Sequence, residues 1–389
     1  MKTTTLALSR KPAESLFLWL ALCFLLPILS ASSATKVLTK SVPFNGKRAK
    51  TYTDNEGRVH LLFNQKGNIF YSLLNRESQE FSKPVQVNSI EKCAAIGELA
   101  IGKNGQVHVL FHGNIFYIRE KIKHLGRKLK GSDIRYTFYT RLNETGTGFE
   151  AQRDLSAGTW GYDGGCALAA DSKGNVYTFV GGLMQEGKEK DRRIFMRHSS
   201  DNGLTFSEPT PIDIGKGVCV CCHLKAQCNS EGQLTFVYRI AENRSNRDSY
   251  VLTSSDHGKT FQNKFLDHWE LNACPGGVYS VVNLQGKTIV AGRNKEDIYM
   301  NISGSNELIM PSGKYAKRRS VVMGNNQRGE ILMAWGEGTN FNKSHDLSWQ
   351  IYGADGAAIG KPGSKENAFG RWGNGAVYAD TNGDFIILH

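Results

Sequence analysis

Seven stretches of the chain share one pattern: a polar pair, a glycine, then a short run in which apolar and polar positions alternate. They read DNEGRVHLLF (54–63), GKNGQVHVLF (102–111), DSKGNVYTFV (171–180), NSEGQLTFVY (229–238), NLQGKTIVAG (283–292), NQRGEILMAW (326–335) and DTNGDFIILH (380–389). A period of two predicts a strand with one buried face. A glycine after polar residues predicts a tight turn feeding it, so each copy is expected to be a hairpin. Their glycines, from Gly57 to Gly383, stand 43 to 69 residues apart, room for a four-stranded unit and its loops. With no amphipathic helix between them, the pattern predicts an all-β propeller of seven blades. Six remain if one hairpin is decorative. The last hairpin ends at His389 without outer strands, and TKVLTKSVPF (35–44) is placed to supply one, closing the ring between the two ends.

A second repeat is more specific. SSDNGLTF (199–206) recurs as SSDHGKTF (254–261), so both segments read Ser-x-Asp-x-Gly-x-Thr-Phe. Gly203 and Gly258 suit a turn at positive φ, and Asp201 and Asp256 can accept backbone amides across it. NRESQEF, ending at Phe81, and NETGTGF, ending at Phe149, are weaker echoes.

These boxes resemble the Asp-box repeats of the sialidase superfamily, whose members are β-propellers. The middle of the chain resembles a narrower bacterial group within it. The matching features are Cys219-x-Cys221-Cys222, the arginine-rich hairpin YRIAENRSNRD (238–248), the second box, and Cys274-Pro275. The resemblance implies a carbohydrate-active fold, with the boxes on outer hairpins away from the site. Sialidases use three arginines on the substrate carboxylate, a Tyr/Glu nucleophile pair and an Asp acid. Their Arg-Ile-Pro motif has no counterpart here, where FNGKRAKTYTDNEG offers Arg48 alone.

Position around the ring then selects candidate chemistry. A propeller's ligand site surrounds its central channel. Residues just past the second strand of each hairpin are comparable candidates: Asn64, His112, Gly181, Arg239, Arg293 and Glu337. Arg239 and Arg293 suit a carboxylate or sulfate, which guanidinium forks bind bidentately; salt bridges to nearby acids are the structural alternative. Segments preceding the inner strands add Tyr162, Asp163, His223, Trp269 and Arg371. His112 or His223 with Tyr162 would transfer protons as base and acid, and Asp163 would serve as acid in a hydrolase. Trp269 would stack on a sugar or pack a blade. No phosphate loop, Gly-x-Ser-x-Gly or His-Glu-x-x-His motif occurs, which argues against nucleotide and metalloprotease chemistry.

The N-terminus sets the compartment. Lys2, Arg10 and Lys11 precede an apolar run from Leu16 to Leu29, followed by small residues at 32–34. That order predicts a secretory signal over 1–34, a single propeller over 35–389, and a secreted or periplasmic protein with no stable membrane insertion. In that setting cysteines are expected to pair. Two bridges are expected, Cys221–Cys222 and Cys219–Cys274, with Cys219–Cys222 and Cys221–Cys274 the competing connectivity. Copper(I) held by these thiolates and His223 is a further alternative, although no metal or cofactor is expected. The formal charge of +12 favours an anionic partner, and for an exported monomer an acidic glycan rather than nucleic acid. The sequence therefore points to a glycosidase or polysaccharide lyase, with a non-catalytic glycan binder and a copper or redox protein as alternatives.

Overall fold

The computed structural model describes residues 1, 34–92, 94–113, 136–156, 165–183, 191–212, 215–219, 224–243, 245–273, 275–295, 297–312, 317–338, 345–369 and 375–389. The chain divides into two compact units, Met1–Ala34 and Thr35–His389, and the second carries the fold. Among the described residues it forms seven sheets, six antiparallel and one mixed, five with four strands and two with three. The first strand of each sheet touches the first strand of the next, in an unbroken circle that returns from Ala376–Ala379 to Lys47–Thr53. These first strands therefore surround the central axis, and the fold is a seven-bladed β-propeller.

Ring closure has the expected form. Val37–Lys40 pairs in parallel with Phe385–Leu388, with Val37 opposite Phe385 and Lys40 opposite Leu388. Blade seven thus takes its third strand from the start of the propeller and its first two from the end. Thr35 adds a hydroxyl bond of 2.5 Å to Glu330 in blade six.

The repeated hairpins are the first-to-second-strand turns of the seven blades. All seven turn glycines have left-handed φ, between 72° and 100°, a region open to glycine at little steric cost. At five of these turns an Asp or Asn side-chain oxygen accepts the amides two and four residues ahead. Asp171 Oδ1, for example, takes Lys173 N and Asn175 N at 2.9 Å each. Asp54, Asn229, Asn326 and Asp380 do the same. These turns surround a cavity of about 940 Å³ at one mouth of the channel. Inside the channel, Lys50 and Lys225 from blades one and four both contact Glu98 from blade two, Lys225 at 3.2 Å. Burial lowers the Lys50 pKa against the attraction of Glu98.

The two Asp boxes lie between third and fourth strands, at the same end as the hairpin turns: Asn202 N donates to Gly174 O at 2.8 Å. Their internal geometry is nearly identical. Ser199 Oγ donates to Asp201 Oδ1 at 2.7 Å, and Thr205 N donates to the same oxygen at 2.9 Å. Ser254 and Thr260 repeat both distances on Asp256. Each box docks on the preceding blade. A Cβ on Gly203 would stand 1.8 Å from Tyr139 Oη, and one on Gly258 would stand 2.6 Å from the Met196 methyl.

Candidate functional site

The opposite mouth is where first strands begin, second strands end and third strands begin. Asn64, His112, Gly181, Arg239, Arg293 and Glu337 all fall in the last two residues of their second strands, so the structure sets them at this mouth. The fold gathers arginines here. Arg48 lies at the start of the first strand of blade one, and Arg319 opens that of blade six. Arg247 precedes the third strand of blade four, Ser249–Ser254.

Among the described residues three inner strands begin irregularly, in blades one, two and six, and those of blades one and six carry arginines there. The pairing of Lys47–Thr53 with Val59–Gln65 slips between Lys47 and Lys50, and Arg48 there has φ 55°. The pairing of Arg319–Asn325 with Glu330–Glu337 slips between Arg319 and Val322, and Ser320 has φ 54°. Bulges and left-handed non-glycine residues cost free energy and recur where a strand end re-aims side chains at a site.

Arg239 and Arg293 are built into the wall of this mouth. Arg239 is 0% exposed. Its guanidinium donates to the carbonyl of Arg247 and, at 2.7 Å, to that of Arg293. Its Nη1 lies 3.8 Å from Asp267 Oδ1. Arg293 donates to Pro275 O at 2.8 Å. The Trp269 ring receives both cations, with Arg239 Cζ at 4.9 Å and Arg293 Cζ at 5.3 Å from its centroid. Trp269 is 4% exposed, so it takes the packing role rather than that of an open stacking platform. Burial raises the Asp267 carboxyl, opposed by the charge of Arg239.

His112 is likewise buried. Cys219 is buried, and Cys228 is a free, buried thiol whose pKa burial pushes up. Tyr162, Asp163, His223, Arg371, Cys221, Cys222 and Cys274 lie outside the described residues, and so do the two expected bridges and the cysteine–His223 cluster. Among the described residues, no group of three or more His, Cys, Asp or Glu side chains is placed to hold a metal ion. No helix among them is long and apolar enough to cross a membrane.

Sequence reasoning missed one pair at this mouth. His268 Nδ1 lies 2.7 Å from Asp248 Oδ1. The His268 side chain is 59% exposed and the Asp248 side chain 9%. Trp269 N donates to the same Asp248 oxygen at 3.2 Å. The signal was present as YRIAENRSNRD and DHWELNACPGG, but the two residues stand twenty apart in different connections. Their meeting depends on where the third strand of blade four begins and its fourth strand ends.

The sequence matches no family model and no curated protein. The fold is similar to that of the Hadza microbial sialidase Hz136, at 12% identity over 85% of this chain and 73% of that one, with a TM-score of 0.51. A protein of unknown function from Dyadobacter fermentans aligns over 78% of this chain and 95% of its own, at 12% identity and a TM-score of 0.48. The NanB sialidase from Streptococcus pneumoniae aligns over 76% and 66%, also at 12% identity and 0.48. The class defined is thus a seven-bladed, sialidase-like β-propeller, and at this identity the likeness is one of fold.

Proposed function

We propose that the protein is an exported carbohydrate-active enzyme that takes an anionic glycan at the arginine-bearing mouth and cleaves it by hydrolysis or elimination. The observation that carries this reading is the pair of bulged, arginine-bearing inner strands at one mouth, with Arg48 and Ser320 at left-handed φ. Strain held at equivalent places in two blades is retained where it serves a site. The formal charge of +12 points to an acidic partner.

Tyr162, Asp163, His223 and Arg371 join the site in this reading through their places in the segments that precede inner strands. Residues 1–34 act as the export signal, and Cys219, Cys221, Cys222 and Cys274 pair outside the cell. Arg239, Arg293 and Trp269 support the wall and its positive field rather than gripping substrate directly. The protein works as a monomer, and nucleic acid is not its partner.

The test is a panel of sialylated, sulfated and uronate-bearing glycans. Elimination leaves an unsaturated uronate that absorbs in the ultraviolet, whereas hydrolysis leaves new reducing ends without that absorbance. Binding with neither product replaces the enzyme by a glycan-binding propeller. Absence of binding to every acidic glycan overturns the reading.

A further inference from the structure

We propose that the mouth opposite the arginines is a second binding site, and that it takes an uncharged, hydroxyl-rich ligand, a neutral saccharide, on amide side chains from five blades. This goes beyond the reading of the arginine mouth and does not rest on it.

The site is the cavity of about 940 Å³ bordered by the hairpin turns. Every one of those turns lies within the described residues. A concave cavity with convergent polar groups is where a small ligand binds. Five amide side chains line it, each from a different blade: Asn55, Asn104, Gln227, Gln285 and Asn325. None of the five makes a side-chain hydrogen bond among the described residues, and neither does the hydroxyl of half-buried Tyr52 in the same lining. An Asn at such a turn ordinarily bonds its own backbone. Here other residues do that work: Asp54 caps the turn that holds Asn55, and Asn326 caps the one that follows Asn325. Gln227 and Asn325 are not turn residues at all, since they stand on the inner strands Lys225–Cys228 and Arg319–Asn325. Where blade six has Asn325 before its turn, four other blades have Ile101, Ala170, Cys228 and Ala379. Neither turn geometry nor packing calls for an amide at that place.

The charged side chains around this mouth select an uncharged ligand. The lining and its bordering turns carry five acids, Asp54, Glu56, Asp171, Glu231 and Asp380, and five bases, Arg58, Arg76, Lys103, Lys173 and Arg328. Most are committed. Asp54 Oδ2 lies 2.7 Å from Arg58 Nε and 3.1 Å from His60 Nε2, and Arg58 Nη1 reaches Glu56 at 3.0 Å. Asp171 and Asp380 accept the amides of their own turns. Arg76 donates to Glu56 O at 3.0 Å, and Lys173 to Glu231 O at 3.4 Å. A charged ligand would have to displace these contacts. A carboxamide, in contrast, sets a two-proton donor beside an acceptor oxygen. That pairing matches adjacent sugar hydroxyls, each of which both donates and accepts.

Saturation-transfer NMR on the full chain tests this with neutral oligosaccharides of glucose, galactose, mannose and N-acetylglucosamine. At least one is expected to bind, and Gln227→Ala with Asn325→Ala is expected to weaken that binding at least ~fivefold. Asn55→Ala with Gln285→Ala changes only exposed side chains and carries the same expectation, so the test does not depend on how the inner strands tolerate substitution. Binding of none of the four series overturns the inference. Binding that both double variants retain at wild-type strength overturns it as well. Acidic glycans, which judge the arginine mouth, are expected to bind both double variants as they bind the wild type. If the wild type binds no acidic glycan, the reading of that mouth fails and this one stands.

Discussion

Phe206 meets Tyr139 edge-on, with ring centroids 4.8 Å apart and planes at 74°, although the two residues belong to neighbouring blades. Phe206 ends the first Asp box of blade three, and Tyr139 lies on the third strand of blade two. The same relation recurs twice. Phe149 of blade two meets Tyr71 of blade one at 5.8 Å, and Phe81 of blade one meets Tyr378 of blade seven at 5.9 Å. The aromatic closing each of these turns is thus a staple to the blade before it. Phe206→Leu is expected to keep the fold and to lose about 1 kcal/mol, the part of an aromatic pair that exceeds its buried area. Urea denaturation measures it. Leu204→Ala, at an exposed position of the same turn, serves as the control that should leave stability unchanged.

The carboxylate of each box acts inside its own turn. Burial would raise the Asp201 pKa, but bonds from the Thr205 hydroxyl and amide and from Ser199 outweigh it and hold it down at about 2. A folded pKa below the unfolded one gives stability that is present above the ordinary Asp range and lost as the pH falls through the folded value. Asp201→Asn should therefore melt lower than the wild type at pH 7, and the gap should close on acidification toward pH 2. Thermal melts across that range read it. A gap that stays constant with pH would show that the carboxylate's charge contributes nothing.

His257 stands in the second box where Asn202 stands in the first. It bonds Tyr177 Oη at 2.9 Å and stacks on His198 with centroids 5.9 Å apart. Burial, and then the charge of His257, hold the His198 pKa below the usual imidazole range, against a smaller upward pull from Asp171. A base with a lowered folded pKa destabilises the fold as the pH drops below its unfolded value, because the unfolded chain binds the extra proton. His257→Asn removes one cause of the lowering. It should shrink the fall in melting temperature between pH 7.5 and pH 5.5, with little change at pH 7.5.

Ring closure predicts a local effect. Val37–Lys40 is the third strand of blade seven, and Phe385 N donates to Lys36 O at 2.9 Å. A chain that begins at Ser41 leaves the edge of Phe385–Leu388 unpaired. Hydrogen exchange should rise first in Ala376–Ala379 and Phe385–Leu388, and the melting midpoint should drop. Uniform protection in the shortened chain would mean that blade seven stands without this strand.

The fold was legible because the repeat carries its own turn chemistry. Polar residues capping amides, a glycine at positive φ and an alternating strand form a local unit, and seven copies at blade spacing leave little choice of architecture. The mouth was legible only as a location. Arg239 and Arg293 were found at the right strand ends, but their burial depends on carbonyls at 247 and 275 and on Trp269. The bulges at Arg48 and Arg319 have no local signature, since register is set by the facing strand. His268 and Asp248 are brought together where the third strand of blade four begins and its fourth strand ends, which spacing along the chain does not encode.

Whether Arg239 is structural can be decided by stability alone. Its guanidinium donates to two main-chain carbonyls and stands 3.8 Å from Asp267, with no exposed surface. Removing one partner of a buried ion pair leaves the other charge desolvated and costs about 3–5 kcal/mol, so Arg239→Met should destabilise the fold by that order. Asp267→Asn in the same chain removes the stranded carboxylate and should recover part of the loss. The double variant is therefore expected to be more stable than Arg239→Met in urea denaturation. A ligand-gripping arginine would behave in the opposite way: its removal would relieve repulsion in the empty mouth, raise stability and abolish glycan binding. Finding that pattern would return Arg239 to direct contact with substrate and require the wall around Trp269 to open.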